Sequence, residues 1–220
     1  MAKRAPLTRD AIVAAGIGLA DHDGLARLSM RSLATALGVE AMSLYHHVRD
    51  KDDLLDGMVD VVFGLMHLPE VGGDWRDQMR ARAESAREVL KAHPWALGLV
   101  DSRSHPGPAT LVHHDAVLGC LRAGGFSVPM AGHAFALLDA HLYGFVTQEL
   151  ALPFDDGDDL AAVAADVGAA MPVDVLPHLA EFMHHALRPG YRFGAEFGYG
   201  LELILEALEA RRTGGDAPRR

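Results

Sequence analysis

Along nearly the whole chain, apolar positions recur at intervals of three and four, the spacing of one helix face, and no strand-length run alternates. The pattern predicts an all-α fold. Over residues 9–20, Ile12, Ala15 and Leu19, with Val13 and Ile17 beside them, make one face that Thr8 can cap, and Asp21-His22-Asp23-Gly24 stops it. Leu28-Ser29-Met30 opens a short helix capped by Ser29, with Leu33, Ala34 and Leu37 turned inward. Gly38-Val39 then turns the chain into a second short helix at about 41–46. Arg49-Asp50-Lys51-Asp52 leads into a longer helix on which Leu54, Leu55, Met58, Val61, Val62 and Leu65 repeat. After a linker at 69–73, helices are expected at 75–92, 109–123, from Pro129 to 151, at 175–187 and at 193–212. Between them lie a short 95–100 segment opened by Pro94, a loop at 102–108 and an acidic loop at 153–157. A Gly/Pro/Arg tail frays at the end.

Two short helices joined by a glycine turn, with a third packed before them, make the plan of a helix-turn-helix, whose second helix enters the major groove. Here Leu33, Ala34, Leu37, Val39 and Leu44 knit the pair together, while Arg31, Ala41, Met42, Ser43, Tyr45 and His46 face outward. That outward set mixes a cation, hydroxyls, small groups and aromatics, the groups that contact phosphates and base edges. Lys51, at the start of the next helix, can reach a phosphate alongside the backbone N–H groups there. Of the neighbours His46 and His47, one is expected to face DNA while the other packs inward. The implied division is a DNA-binding domain at 1–52, a connecting helix at 53–68, a ligand-binding and dimerisation domain at 69–212, and the tail at 213–220.

Charge at first argues against this reading, because 220 residues with 20 Lys+Arg and 30 Asp+Glu carry a net −10, and phosphates are contacted mostly by cations. The charge is unevenly spread. Residues 1–51 hold seven basic groups, Lys3 and Arg4 among them, against five acidic ones, and the remainder holds 13 against 25. A modestly basic head on an acidic bundle remains compatible with DNA. With so little surplus charge, useful binding should need two heads on one operator.

Other classes fare worse. The lone Cys120 forms no intramolecular disulfide, so a reduced cytoplasm is the simplest home. Residues 123–148 come nearest to a membrane span, but His133, Asp139 and His141 recur through them and Gly124, Gly125 and Pro129 break their start, which favours a buried helix. Thirteen histidines raise the possibility of a metal hydrolase. The spacing fails, because there is no His-Glu-x-x-His, no Glu-x-x-His pair, no phosphate loop and no Gly-x-Ser-x-Gly. The adjacent pairs His113-His114 and His184-His185 point about 100° apart on a helix, so neither grips a metal jointly, and both are expected to face solvent. No cofactor and no catalytic residue is expected.

On the helix from Pro129, Phe135, Leu138, His141, Phe145 and Gln148 fall at spacings of three or four. Such a face either lines a mostly apolar pocket with two orienting polar groups or is plain core, with His141 satisfied by a backbone carbonyl. On the last helix Phe193, Phe197, Leu201, Ile204, Leu205 and Leu208 form a stripe broader than a covering helix needs. Paired with the long helix of a second copy, it would make a four-helix dimer interface.

The string Met30-Arg-Ser-Leu-Ala-Thr-Ala-Leu-Gly-Val-Glu-Ala-Met-Ser-Leu-Tyr-His-His-Val-Arg-Asp-Lys-Asp-Asp-Leu-Leu resembles the DNA-reading head of the TetR family of bacterial transcriptional regulators, over about residues 7–58. Trp75, the Gly125-Phe126-Ser127 turn and the closing run from Phe197 to Glu209 are similar to the tetracycline-repressor branch. The resemblance implies a homodimeric repressor whose bundle binds a small molecule that shifts the two recognition helices out of register. It implies base reading by Arg31, phosphate contacts by Tyr45 and Lys51, and a recognition face of Glu40, Ala41, Met42, Ser43 and His46. Ala41, Met42 and His46 depart from the tetracycline-repressor residues, so the double-stranded operator should differ.

By the same resemblance His67 falls at a drug-contacting histidine, while Arg82 and Ala86 replace an amide and an aromatic residue. Val100 stands at the metal-coordinating histidine and Gln148 at its acidic partner; a slipped alignment would offer Glu149 or His105 instead. Magnesium-tetracycline is therefore not the expected effector. The expected effector set is His67, Arg82, Val100, Val117, Phe135, Leu138, His141, Phe145 and Gln148, around a small, largely apolar molecule; no metal ligand is assigned among the residues. The alternative kept open is the same DNA-binding fold whose bundle takes a protein partner or nothing.

Overall fold

The computed structural model describes residues 6–100, 105–152, 176–186, 188 and 190–212. Lys3, Arg4, the acidic 153–157 loop, residues 102–104 of the earlier loop and the 213–220 tail lie outside the described residues. Among the described residues the regular structure is helical: α1 Arg9–Asp23, α2 Met30–Leu37, α3 Ala41–Leu44, α4 Lys51–Leu65, α5 Trp75–Ala92, α6 Pro108–Ala123, α7 Val128–Ala151, α8 Pro177–Ala186 and α9 Ala195–Arg212. Short 3-10 turns occupy Leu25–Arg27 and Pro94–Ala96.

Local chemistry accounts for most helix ends. Thr8 caps α1 by accepting from the Ala11 N–H, and Ser29 and Ser32 cap α2 reciprocally. Asp50 caps α4, Asp74 caps α5 and Ser127 caps α7, where Pro129 sits in the first turn as expected. Helix α1 runs three residues past its expected stop. The polar Asp21-His22-Asp23 run is tolerated in an exposed last turn, and the chain turns only at Gly24, where φ is +79°. The recognition helix α3 is a single turn, shorter than the expected 41–46. On α4 the core face is Leu54, Leu55, Met58, Val59, Val62 and Phe63, whereas Val61 and Leu65 lie outward, 44% and 55% exposed.

Helix α4 is one continuous element that packs on α1 in the head and on α6 in the bundle. Arg9 of α1 grips Asp53 with both terminal nitrogens, at 3.0 and 2.9 Å, and the Arg49 N–H donates to the same carboxylate at 2.8 Å. Two turns on, Asp60 accepts from the Thr110 N–H at 2.8 Å and from its hydroxyl at 3.1 Å. Asp60 thereby caps α6 from another helix, because the N-cap residue Gly107 has no side chain to do so. A third tie joins Asp21 of α1 to His93 (2.8 Å) and to the Trp95 indole N–H (2.6 Å) after α5.

In the bundle α7 packs on α5, α6 and α9. Trp75 lies edge-on to Phe126 at 4.8 Å and passes beneath Gly124, where a Cβ would stand 2.9 Å from the Trp75 Cβ and Cγ. Glu149 on α7 is held by Arg87 at 2.8 and 2.5 Å and by Lys91 at 3.0 Å. Cys120 is buried and its thiol is pushed up by burial. No helix among the described residues is long and apolar enough to cross a membrane.

The Arg9 hydrogen bonds hold the Asp53 carboxyl below the usual carboxylate range. A lowered folded-state value means stability that is present above the ordinary carboxylate pKa of about 4 and lost as pH falls through the lowered value. Asp53→Asn is expected to cost about 1–2 kcal/mol near neutrality, discounted for the exposed arginine. Urea midpoints measured from pH 7 downward should converge for the two proteins in acid.

Candidate nucleic-acid interface and buried polar cluster

The head presents the outward set that the spacing predicts. Leu33, Ala34 and Leu44 are buried between α2 and α3, with Leu37 and Val39 half-buried. Gly38, at φ +61°, makes the turn and donates its N–H back to the α2 carbonyls of Ala34 and Thr35. Arg31, Glu40, Tyr45, His46 and Lys51 are exposed, Met42 is 72% exposed, and Ala41 and Ser43 are half-buried on the same side. His46 and His47 are both exposed, contrary to the expectation that one packs inward, because the next residue, Val48, fills that place at 1% exposure. Of the N–H groups opening α4, that of Asp53 is already taken by the Asp50 carboxylate at 2.8 Å. The Lys51 side chain beside it is exposed.

The expected effector residues divide into two groups. Arg82, Val117 and Leu138 are buried together with half-buried Phe135 on the inner side of the bundle. His141 and Phe145 instead face α9. The His141 ring stacks on Phe197 at 5.1 Å and its Nε2 lies 3.0 Å from the Phe197 carbonyl, the plain-core alternative, while Phe145 stacks on Phe193 at 4.9 Å. Gln148 is exposed. At about 100° per residue, the thirteen residues from Phe135 to Gln148 rotate the side chain some 140° around the helix, so the five positions never shared one narrow face. His67 is exposed, with its N–H on the Ser85 hydroxyl at 2.9 Å and Nε2 at 3.1 Å from the Gln78 side-chain oxygen; Val100 is half-buried. Glu149 is engaged by Arg87 and Lys91, and His105 lines a cleft between head and bundle. Among the described residues no group of three or more His, Cys, Asp or Glu side chains is placed to hold a metal ion.

His113 was expected in solvent and is 1% exposed. It is in helical phase with Ala116, Val117 and Cys120, a signal the sequence already carried. Its ring meets Phe63 of α4 at 5.5 Å; His114 meets Phe63 at 5.4 Å and Phe135 of α7 at 5.2 Å, all edge to face. The Arg82 guanidinium lies 6.0 Å from the Phe135 ring centre and 2.5 Å from Asp139. Four helices thus contribute to one buried cluster. Burial, aided by the charges of Arg82 and His114, pushes the His113 imidazole down to about 3, so it is neutral at physiological pH. The His67 backbone bears on the His113 ring and opposes that shift, at a geometry outside that of a good hydrogen bond, and Arg82 Nε has no partner.

A cleft of about 390 Å³ lies between head and bundle, lined by Arg9, Asp53, Asp60, His105 and Gly107 among others. None of the expected effector residues lines it. Asp53 and Asp60 are already committed to Arg9 and Thr110, which makes it a seam between the two units.

A helix-turn-helix head joined through α4 to a helical bundle with a buried polar centre defines a DNA-binding regulator with a sensory domain. Residues 12–58 match the family model "Bacterial regulatory proteins, tetR family", and residues 68–212 match "Tetracyclin repressor-like, C-terminal domain". The chain belongs to the TetR family; it is a transcriptional regulator and not an enzyme. It is 31% identical to the HTH-type transcriptional repressor DrrR1 of Streptomyces coeruleorubidus, over 96% of this chain and 82% of that one. It is 43% identical to an HTH-type transcriptional regulator of Saccharopolyspora erythraea over 65% of this chain, a match spanning 61% of that relative's length. The crystal structure of the Streptomyces coelicolor TetR family protein ActR in complex with actinorhodin superposes with a TM-score of 0.77 at 29% identity, covering 94% of this chain and 97% of that one.

Removing one member of the Arg82–Asp139 pair leaves a charge buried without its partner. Asp139→Ala should cost about 3–5 kcal/mol, whereas the double replacement Arg82→Met with Asp139→Leu should be near neutral or stabilising. Equilibrium urea unfolding of the three proteins compares them.

Proposed function

We propose that the protein is a homodimeric repressor that leaves its operator when a small, largely apolar molecule enters the bundle. The observation that carries this reading is the buried polar cluster, whose members come from α4, α5, α6 and α7. Helix α4 is at once a wall of that cluster, through Phe63, and the support of the DNA-reading head. A molecule inserted between Phe63, His113 and Phe135 displaces α6 from α4. The Asp60–Thr110 cap passes that displacement along α4 to α1, on which α2 and then α3 pack. ActR, a structural relative with a bound small molecule, supports the assignment of a ligand to this domain.

The head meets a near-palindromic operator, with Arg31, Glu40, Ala41, Met42, Ser43 and His46 toward the bases and Tyr45 and Lys51 toward phosphates. Two heads on one side of the duplex stand about 34–36 Å apart. The dimer face differs from the stripe that the sequence suggests. Phe197, Leu201, Leu205 and Leu208 are buried and Phe193 and Ile204 half-buried within their own chain, where α9 covers α7. Outward on α9 lie Tyr199 and Leu203, 67% and 51% exposed, and outward on α7 lie Leu137 and Leu150. A Cβ at Gly132, Gly144 or Gly198 would meet nothing within 4 Å, which leaves close approach open to a second pair of helices. Dimerisation runs through these positions, and the regulator works in the cytoplasm.

Tyr45→Ala and Lys51→Ala proteins should stay folded and dimeric but bind operator more weakly. The slope of log affinity against log salt should fall by about one for each phosphate that the variant no longer neutralises. Fluorescence anisotropy across a salt series reads this, and unchanged binding by both variants would refute the docking. Leu203→Glu should elute as a monomer in analytical gel filtration and lose operator affinity, whereas Leu201→Met, behind the interface, should do neither.

A further inference from the structure

Met42 is 72% exposed, the most exposed large apolar side chain among the described residues. The helix that carries it fixes where it points. Leu44, at 0% exposure, anchors α3 in the head, and Met42 precedes it by two residues, about 200° around a helix. Met42 therefore stands on the side of α3 opposite its anchor and forms the crest of the recognition helix. That crest is poor in hydrogen-bonding groups. Ala41 beside it offers a methyl group, Ser43 is half-buried, and the four residues of α3 include no Arg, Lys, Asn or Gln. The exposed polar groups of the head come from other places: Arg31 from α2, Glu40 from before α3, Tyr45 and His46 from after it, and Lys51 from α4.

We infer that Met42 is a specificity-determining residue of the head and that it reads the C5-methyl group of a thymine, so that each half of the operator carries a T·A pair at one fixed position. The inference rests on the reading of the head as an operator-binding surface and adds which base its apolar tip selects. In the major groove the base edges present hydrogen-bond donors and acceptors, and the thymine methyl is the only apolar group among them. A methionine pressed onto the amino group of cytosine or adenine, or onto the acceptors of guanine, strips water from them and returns no hydrogen bond. Pressed onto a thymine methyl, it takes two apolar surfaces out of water together. The unbranched, polarizable thioether adapts its shape to that methyl better than a stiff side chain would. The polar neighbours do not duplicate this reading. Glu40 can accept from a cytosine amine and Ser43 can bond to several base edges, but neither distinguishes thymine from uracil.

The test uses the full chain and duplex DNA in which only that methyl changes. Duplexes with a randomised centre are selected on the parent, on Met42→Ala and on Met42→Leu. The parent should enrich a near-palindrome, and Met42→Ala should lose the preference for T at one position in each half while keeping the others. At that position, deoxyuridine in place of thymidine should weaken the parent about fourfold for one half-site and about fifteenfold for both, read by fluorescence anisotropy. The slope of log affinity against log salt should not move, because no phosphate contact is lost. Conversely, 5-methylcytosine should bind more tightly there than cytosine by about the same factor. Met42→Leu, which keeps an apolar tip, should retain both differences, and Met42→Ala should lose both. All three proteins should melt at the same temperature, since the side chain lies outside the core. Equal binding of thymidine and deoxyuridine duplexes by the parent overturns the inference. So does a difference that survives in Met42→Ala, which would give the methyl to another residue, or a Met42-controlled position that selects a base other than T. Those three results leave the operator-binding reading intact. Failure of the parent to enrich any sequence would bring down that reading and the inference with it.

Discussion

Two carboxylates seven residues apart on α4 join the halves of this molecule. Asp53 is clamped by Arg9 and the Arg49 N–H in the head, and Asp60 caps α6 in the bundle. Two helical turns place both on one side of α4. The helix is therefore fixed at its head end to α1 and along its length to α6, and neither unit can tilt against the other without breaking a charged hydrogen bond. Gly107 belongs to this constraint, because a Cβ there would run into Asp60. Asp21, bonded to His93 and Trp95, adds a third attachment between α1 and the segment after α5. A regulator that turns ligand binding into head movement needs such discrete links, since well-packed interfaces shift between arrangements rather than deform continuously.

The acidic surplus acquires a structural sense in this light. Several carboxylates that lower the net charge to −10 are engaged in fixing elements together: Asp53 at the head, Asp60 between α4 and α6, Glu149 across α5 and α7, Glu202 with Arg80 between α5 and α9. Hydrogen bonds from arginine hold the carboxyls of Asp53 and Glu202 below their ordinary range, with that from Arg80 foremost for Glu202. Part of the charge that seemed to disfavour nucleic acid is thus engaged between helices.

The bundle's centre follows a different logic. Apolar residues of similar volume would serve stability as well as, or better than, the buried pair of Arg82 and Asp139. The centre's unsatisfied polar atoms lie deep, on α5 and α6.

The sequence by itself determined the head, because its signals are local. Ser29 and Gly38 bracket α2, Leu33, Leu37 and Leu44 repeat within one or two turns, and Asp50 opens α4, so no distant contact was needed to place Arg31, Met42 or Lys51 outside. The helices of the bundle were legible for the same reason. What periodicity leaves open is the partner of each face. A stripe of Phe197, Leu201, Leu205 and Leu208 announces burial equally well against a second chain or against α7, and only the packing of α9 on α7 decided for the latter. Likewise helical phase puts His113 on the inner face with Ala116, Val117 and Cys120 but does not say which side chains lie against it. Such neighbours are brought together by the tertiary fold over separations of fifty residues and more, as between Phe63 and His113.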